Sequence, residues 1–305
     1  MSLSKDVARI RGKLGFGTVE WQAKYWLDTG NPDLNATLAH REKGLEYGRL
    51  YEIAGWESQG KTAVLLALAA LAQAQGSLVI WVDAENSFDE VWASKRGLDP
   101  KEMVLIKPRL KKKAKASADE EDIDTKKKSS AKSIITSAED MCDEAEAMME
   151  ELGHKYKGIF IAVDSIPTLL TEKEGATVMS KRNMRTNMEL PMFLSSTMRR
   201  WLGKFQVNHA MGVFINQLRN RPDPFDPIYT PGGNATRFAF HGRARIARSQ
   251  GKVIKRKGKT VGIQGIMTNY KNKSGTPERE RVGFKLYFDG PIQFLPADEL
   301  TKDHA

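Results

Sequence analysis

The sequence is poor in the residues that would place it in several functional classes. A single cysteine, Cys142, excludes a disulfide framework and points to a reducing compartment. The five histidines, His40, His154, His209, His241 and His304, are too scattered for a Cys/His metal pattern. No stretch approaches the ~18 consecutive apolar residues a membrane span needs, and the opening MSLSKDVARIRGK has no apolar signal core. Acidic residues are missing altogether from Pro227 to Pro277, a span that holds eleven Lys and Arg side chains. That local excess matches the net charge of +10, so the rest of the chain is nearly neutral. A one-sign run in a folded region repels itself unless an anion lies against it, and a polyphosphate backbone is the usual anion. What remains is an ordinary globular composition, 305 residues with 40% hydrophobic and 28% charged, enough for one large domain plus an appendage.

Apolar patterning orders the chain. Residues 1–45 read as a short helical lead (Lys5–Leu14) and an irregular polar segment containing Gly30-Asn31-Pro32. Strands are expected at Arg49–Ala54, Ser77–Val82, Met103–Ile106, Ile159–Val163 and Gly212–Asn216, several of them continuous apolar runs of the kind covered on both faces. Between them, helices are expected at Thr62–Ala74, Glu90–Arg96, Ile134–Leu152 and Met188–Phe205. Strand and helix in alternation predict an α/β fold with a mostly parallel central sheet and helices on both faces. Paired short runs around Lys259 and Tyr287 predict an antiparallel extension of that sheet. Leu110–Ser133, with blocks of like charge and almost no apolar residues, reads as a flexible surface insertion. The domain reading is an N-terminal helical, oligomerising segment at 1–45, a core at 46–290 and a C-terminal tail at 291–305. Cys142, Met148, Met149, Met198 and Trp201 read as packing residues.

Gly55-Trp56-Glu57-Ser58-Gln59-Gly60-Lys61-Thr62 fits G-x-x-x-x-G-K-[ST] between an expected strand and helix. Glycines let backbone N–H groups converge on phosphate oxygens, and the helix N-terminus adds partial positive charge. Lys61 then reaches the β/γ oxygens and the Thr62 hydroxyl holds Mg²⁺. A second carboxylate for that ion is expected at the end of a neighbouring apolar strand, and Asp164 stands there. Hydrolysis further requires a group that orients water; Glu85 is the first choice and Asp83 the second, both ending the strand after the P-loop helix. Asn216-Gln217 closes the fifth strand with two amides, and Gln217 is placed to sense a γ-phosphate. The proline-studded Leu218–Gly233 that follows cannot be regular structure, and Gly232-Gly233 permits close backbone approach to a ligand.

Together these blocks resemble a RecA-type homologous recombinase, of the compact kind found in phages, from about Leu27 to Phe288. The matching segments are GWESQGKT, VDAENSFDEVWASKRGLD, FIAVDS, MRRWLGKF, VFINQLR, PGGNATRFAF and YKNKSG. The resemblance implies a RecA-like P-loop ATPase core behind a small N-terminal polymerisation segment, with ATP and Mg²⁺ as cofactors. It implies a DNA-stimulated ATPase that polymerises on single-stranded DNA and exchanges strands with homologous duplex. The alternative is an accessory ATPase of the same fold that coats or anneals single strands without exchange; a ring helicase is a third reading.

By position, Glu85 is similar to the family's catalytic glutamate and Gln217 to its allosteric glutamine. Asp89 and Trp92 stand where the family reads and stacks the adenine, with Tyr287 as a second adenine contact. Lys271 and Lys273 match lysines that reach the γ-phosphate of a neighbouring subunit. Glu172–Arg185 and Leu218–Gly233 correspond to two DNA-binding loops, with Lys181, Arg182 and Arg185 in the first and Arg199, Arg219, Gly232, Gly233 and Asn234 at matching positions. Met192 replaces an arginine, and the insertion has no counterpart. The family's separate C-terminal domain and acidic tail are expected to be missing. Single-strand-binding and mediator proteins, and the cytoplasm of a bacterial or phage-infected cell, complete what the resemblance implies.

Overall fold

The computed structural model describes residues 7, 9–10, 12–13, 23–111, 134–177, 179–181, 183–222 and 227–301, and the first five of these are helical. The charged segment read as a flexible insertion lies, from residue 112 to 133, outside the described residues. The chain then runs Trp26–Leu27 (β1), Pro32–Leu38 (α1), Leu45–Glu46 (β2), Leu50–Gly55 (β3), Lys61–Ala74 (α2), Ser77–Asp83 (β4), Glu90–Ser94 (α3) and Met103–Ile106 (β5). The short pair Leu110–Lys111 (β6) and Ile134–Ile135 (β7) precedes Ala138–Leu152 (α4), Gly158–Asp164 (β8), Glu172–Ala176 (α5), Met184–Val207 (α6) and Ala210–Gln217 (β9). Arg219–Asn220 (β10), Ile228–Tyr229 (β11), Gly233–Ala239 (α7), Gly242–Arg256 (β12), Lys259–Asn272 (β13), Arg281–Tyr287 (β14) and Ile292–Pro296 (β15) complete it.

Nine of these strands form one sheet in the order β15-β14-β13-β12-β3-β9-β8-β4-β5. From β12 to β5 every neighbouring pair is parallel, and β13, β14 and β15 add antiparallel strands at one edge. This is the mixed α/β architecture expected. Successive strand residues point to opposite faces, and the core divides accordingly. Tyr51, Ile53, Val79, Trp81, Phe160 and Ala162 pack with α1 and α2 on one face. Leu50, Leu78, Ile80, Val82, Ile159, Ile161 and Val163 pack with α4 and α6 on the other. Both faces are covered, which is why these strands read as continuous apolar runs. Cys142 and Trp201 are buried packing residues, and burial pushes the Cys142 thiol up to about 12.

Several local expectations are corrected. The segment around Gly30-Asn31-Pro32 is not irregular: Asn31 caps α1 by accepting from the Asp33 and Leu34 amides, and Pro32 opens the helix. Ile134–Ile135 is a strand paired with β6, and the helix starts only at Ala138, after a Ser137/Asp140 capping box. The helix expected at Met188 begins at Met184 and carries Pro191 within it. Leu218–Gly233 contains regular structure after all, a two-residue antiparallel pairing of β10 with β11, and Gly233 already belongs to α7. The stretch read as a tail supplies β15, which pairs with β14 from Val282↔Pro296 to Leu286↔Ile292 and packs Ile292 and Phe294 on the core. Among the described residues no helix is long and apolar enough to cross a membrane.

Candidate functional site

Every parallel strand of the central block ends on the same side, and the chemistry-bearing residues collect there. After β3 the chain turns through Gly55–Gly60 into α2. Ser58 and Gly60 both take positive φ, 59° and 92°, a conformation glycine adopts freely and serine only under constraint. No side chain caps α2 at Gly60, so its first amides and its dipole face the loop. The Lys61 ammonium donates to the Trp56 carbonyl at 2.7 Å, and burial lowers its pKa against the pull of Asp164, Glu85 and Glu57.

β8 delivers Asp164 to this loop. Its Oδ2 accepts from the Thr62 hydroxyl at 2.8 Å, so the two expected cation-holding groups touch. Burial raises the Asp164 carboxyl to about 6, with Glu85 and Asp83 pushing the same way and Thr62 and Lys61 opposing. A hydroxyl hydrogen-bonded to a carboxylate, with two further carboxylates repelling its charge, is a donor set suited to a hard divalent cation. Glu85 is exposed, and its Oε1 accepts from the Ser165 hydroxyl at 2.5 Å. Asp83 is spent differently: its two oxygens accept the Ser87 and Phe88 amides at 3.0 and 2.9 Å, with Lys107 at 3.7 Å. It organises the loop after β4, which leaves Glu85 as the available carboxylate.

Of the residues expected at a base, Asp89 and Trp92 touch directly, and Tyr287 is joined to them through Arg96. Asp89 caps α3 by accepting from the Trp92 amide at 2.9 Å. Arg96, just beyond α3, stacks 3.8 Å from the Trp92 ring centroid and donates to the Tyr287 carbonyl at 3.2 Å. β14, which carries Tyr287, abuts the P-loop: a side chain added at Gly60 would meet Leu286 and Phe284.

Lys271 and Lys273 lie elsewhere. Lys271 pairs across β12 with Arg243, which is in register with Glu52, three residues before the loop glycine. Both ammonium groups donate to carbonyls at the end of α7: Lys271 to Arg237 and Phe238 at 2.6 and 3.2 Å, Lys273 to Phe238 at 3.2 Å. Burial, with Lys273 and Arg243 nearby, depresses Lys271 to about 8.

Beside the strand ends opens a cavity of about 610 Å³ whose lining includes Arg219, Arg221, Tyr229, Gly232, Asn234 and Arg237. Gly233 also lines it, and Gly232 and Gly233 sit at φ 104° and 80°, where a side chain would be strained. Lys181 and Arg199 are exposed but do not line it, and Arg199 donates to Ser195 of its own helix. Arg182 lies outside the described residues; Arg185 falls in α6.

Sequence reading missed what joins this cavity to the strand ends. Glu52, in the middle of β3, is 1% exposed. Its oxygens accept from Asn216 Nδ2 at 2.7 Å and Arg243 Nε at 2.5 Å. Arg243 also donates to Thr230, and Asn216 to the Pro231 carbonyl, each at 3.0 Å, while Asn216 Oδ1 accepts the Gln217 amide at 2.9 Å. A buried carboxylate must be paired, so an acid inside an otherwise apolar strand was the available signal. This pairing also corrects the expectation that the cationic run forms one anion-facing patch. Arg243 neutralises Glu52, Arg245 lies 3.8 Å over Tyr270 and the two lysines cap α7. Arg237 alone of the run lines the cavity among the described residues.

Comparison with known proteins agrees with this geometry. A family model, the RecA N-terminal domain, matches residues 17–121 and 125–293. Protein RecA of Thermus aquaticus is 28% identical over 257 residues, 84% of this chain and 65% of that protein. Protein RecA of Acholeplasma laidlawii is 29% identical over 236 residues, 77% of this chain and 60% of that protein. The chain thus spans less than two thirds of these curated relatives. With a phosphate-type loop, its carboxylates and the nine-stranded sheet under one family model across most of the sequence, the chain belongs to the RecA N-terminal domain family.

Proposed function

We propose that the chain is an ATP-dependent homologous recombinase. It polymerises on single-stranded DNA, tests incoming duplex by base pairing and releases product on hydrolysis, in the cytoplasm of a bacterial cell or a phage-infected host. The observation that carries this reading is the buried bridge Gln217–Asn216–Glu52–Arg243–Thr230, which runs from the phosphate end of the sheet to the loop lining the basic cavity. A nucleotide-dependent change at Gln217 has a contiguous, charged route to the polynucleotide surface.

In this reading Gly55–Thr62 cradles the triphosphate, with Lys61 on its outer oxygens. Thr62 and Asp164 hold Mg²⁺, which supplies neutralisation of phosphate charge when bound. Glu85, aimed by Ser165, orients the attacking water. Asp89, Trp92 and Tyr287 receive the adenine. Lys271 and Lys273 serve the nucleotide of a neighbouring protomer, since in their own chain they sit at the α7 end. Turnover then requires a filament, because the cations that stabilise transition-state charge come from the next copy. Residues 1–45 provide the polymerisation segment. Lys181, Arg182, Arg185, Arg199, Arg219, Gly232, Gly233 and Asn234 make backbone contacts to DNA, independent of sequence.

The test is affinity for an unpaired oligonucleotide with and without ATP, paired with light scattering for assembly and with ATP turnover. Tighter binding, assembly and faster turnover only when both ligands are present support the reading; nucleotide-indifferent binding without assembly overturns it. Exchange with homologous but not heterologous duplex separates a recombinase from a protein that only coats or anneals single strands.

A further inference from the structure

Arg96 is 5% exposed, yet no carboxylate pairs with it among the described residues and its Nε has no hydrogen-bond partner. Burial lowers its pKa, though a guanidinium stays charged. Its company is an indole face at 3.8 Å, the Trp92 carbonyl at 3.3 Å and the Tyr287 carbonyl at 3.2 Å. Burying an unpaired cation is costly, and an aliphatic side chain would join α3 to β14 without that cost. What the guanidinium adds is orientation: a planar cation fixes the plane of the ring it covers. The neighbouring Lys95 binds Asp289 at 2.5 Å, so two successive residues tie α3 to the end of β14. Arg256, 5.5 Å from the Tyr287 ring, supports the second aromatic.

We propose that Arg96 is a positioning residue of a purine pocket, locking Trp92 and Tyr287 into one unit that meets the base of an adenine nucleotide. The proposal rests on the reading that these two aromatics flank the adenine. Arg96 acts through them and does not touch the phosphates, which belong to the loop before α2. Its removal therefore weakens recognition of the base and leaves recognition of the phosphate chain intact.

The experiment measures equilibrium affinity of Arg96→Leu and Arg96→Lys for MgATP and for inorganic tripolyphosphate, together with KM and kcat for DNA-stimulated hydrolysis. Arg96→Leu is expected to weaken ATP roughly tenfold, the scale of a desolvated cation–π contact. That loss should appear in KM with kcat unchanged, and tripolyphosphate affinity should not move. Arg96→Lys, which keeps the charge without the planar stack, should fall between the two and serves if the leucine variant does not fold. Unchanged ATP affinity in a folded variant overturns the proposal, as does an equal loss for ATP and tripolyphosphate, which marks a general structural role. Trp92→Ala is the control on the premise: if it binds ATP like the parent, the adenine assignment itself fails.

Discussion

The phosphate loop and the basic cavity beside it lie at one end of the same sheet but are assembled differently. Gly55–Thr62 is a single run of eight residues, and its partner Asp164 ends β8, with Ser165, the partner of Glu85, directly after it. The cavity draws Pro167, Glu174, Leu190, Arg219, Tyr229 and Asn234 from separate segments, two of them joined only by a two-residue ladder. The first is strained and closely bonded, with Ser58 and Gly60 at positive φ and Thr62 on Asp164, so single side chains should matter greatly. The second is an open surface of cations and glycines, so effects should be modest, additive and dependent on salt.

On this contrast the largest effect falls on Glu85→Gln. Hydrolysis should drop roughly 10²–10⁴-fold, the usual weight of a general base, with ATP and DNA binding retained; a quench assay reading the parent rate would remove Glu85 from catalysis. Lys61→Ala should weaken ATP binding about a hundredfold by loss of charge-assisted bonds, measured by calorimetry. Asp164→Asn should stabilise the ligand-free protein while ending hydrolysis. Its carboxyl titrates near 6 when folded, above the ordinary 3.8, so the folded state pays an increasing penalty as pH rises from about 4 to about 6. Removing that charge should gain about 2 kcal/mol at pH 7 and nothing below pH 4, read from denaturation midpoints.

On the cavity side, Arg219→Ala should lower single-strand affinity only about fivefold and reduce its salt slope by about one, with DNA-independent turnover unchanged. Smallest is a pH effect at Lys271. Its pKa near 8 is depressed, so its charge is lost as pH rises through that value. DNA-stimulated turnover should fall a few-fold between about pH 8 and 9, and Lys271→Arg should flatten that limb because arginine stays protonated. Burial is the largest cause of that depression; of the groups facing Lys271, Lys273 and Arg243 add to it and Glu52 opposes it.

Much of the parallel sheet was legible because strands covered on both faces have to be apolar throughout, as Ile159–Val163 is. The phosphate loop was legible because backbone geometry restricts it to glycine at fixed spacing. Other features were hidden. Pro191 inside α6 breaks a propensity rule that tertiary packing overrides. Asn31 as a helix cap was readable from Asn-Pro-Asp, but the surrounding polar residues masked it. Glu85 was ranked ahead of Asp83 from the sequence, but that the Ser87 and Phe88 amides would occupy Asp83 was not legible there.

Local chemistry by itself indicated the α/β architecture and the glycine-rich loop, and it put Lys61, Thr62, Asp164 and Glu85 forward as candidates, since each follows from spacing or from a polar group ending an apolar strand. Folding alone decided that Glu52 would join β3, β9 and β12 to a loop residue 178 positions further on, and that Arg96 would stand behind Trp92. Those contacts depend on long-range pairing, where the partner of a buried charge is chosen by which strands lie side by side, and nothing in the neighbouring residues records that choice.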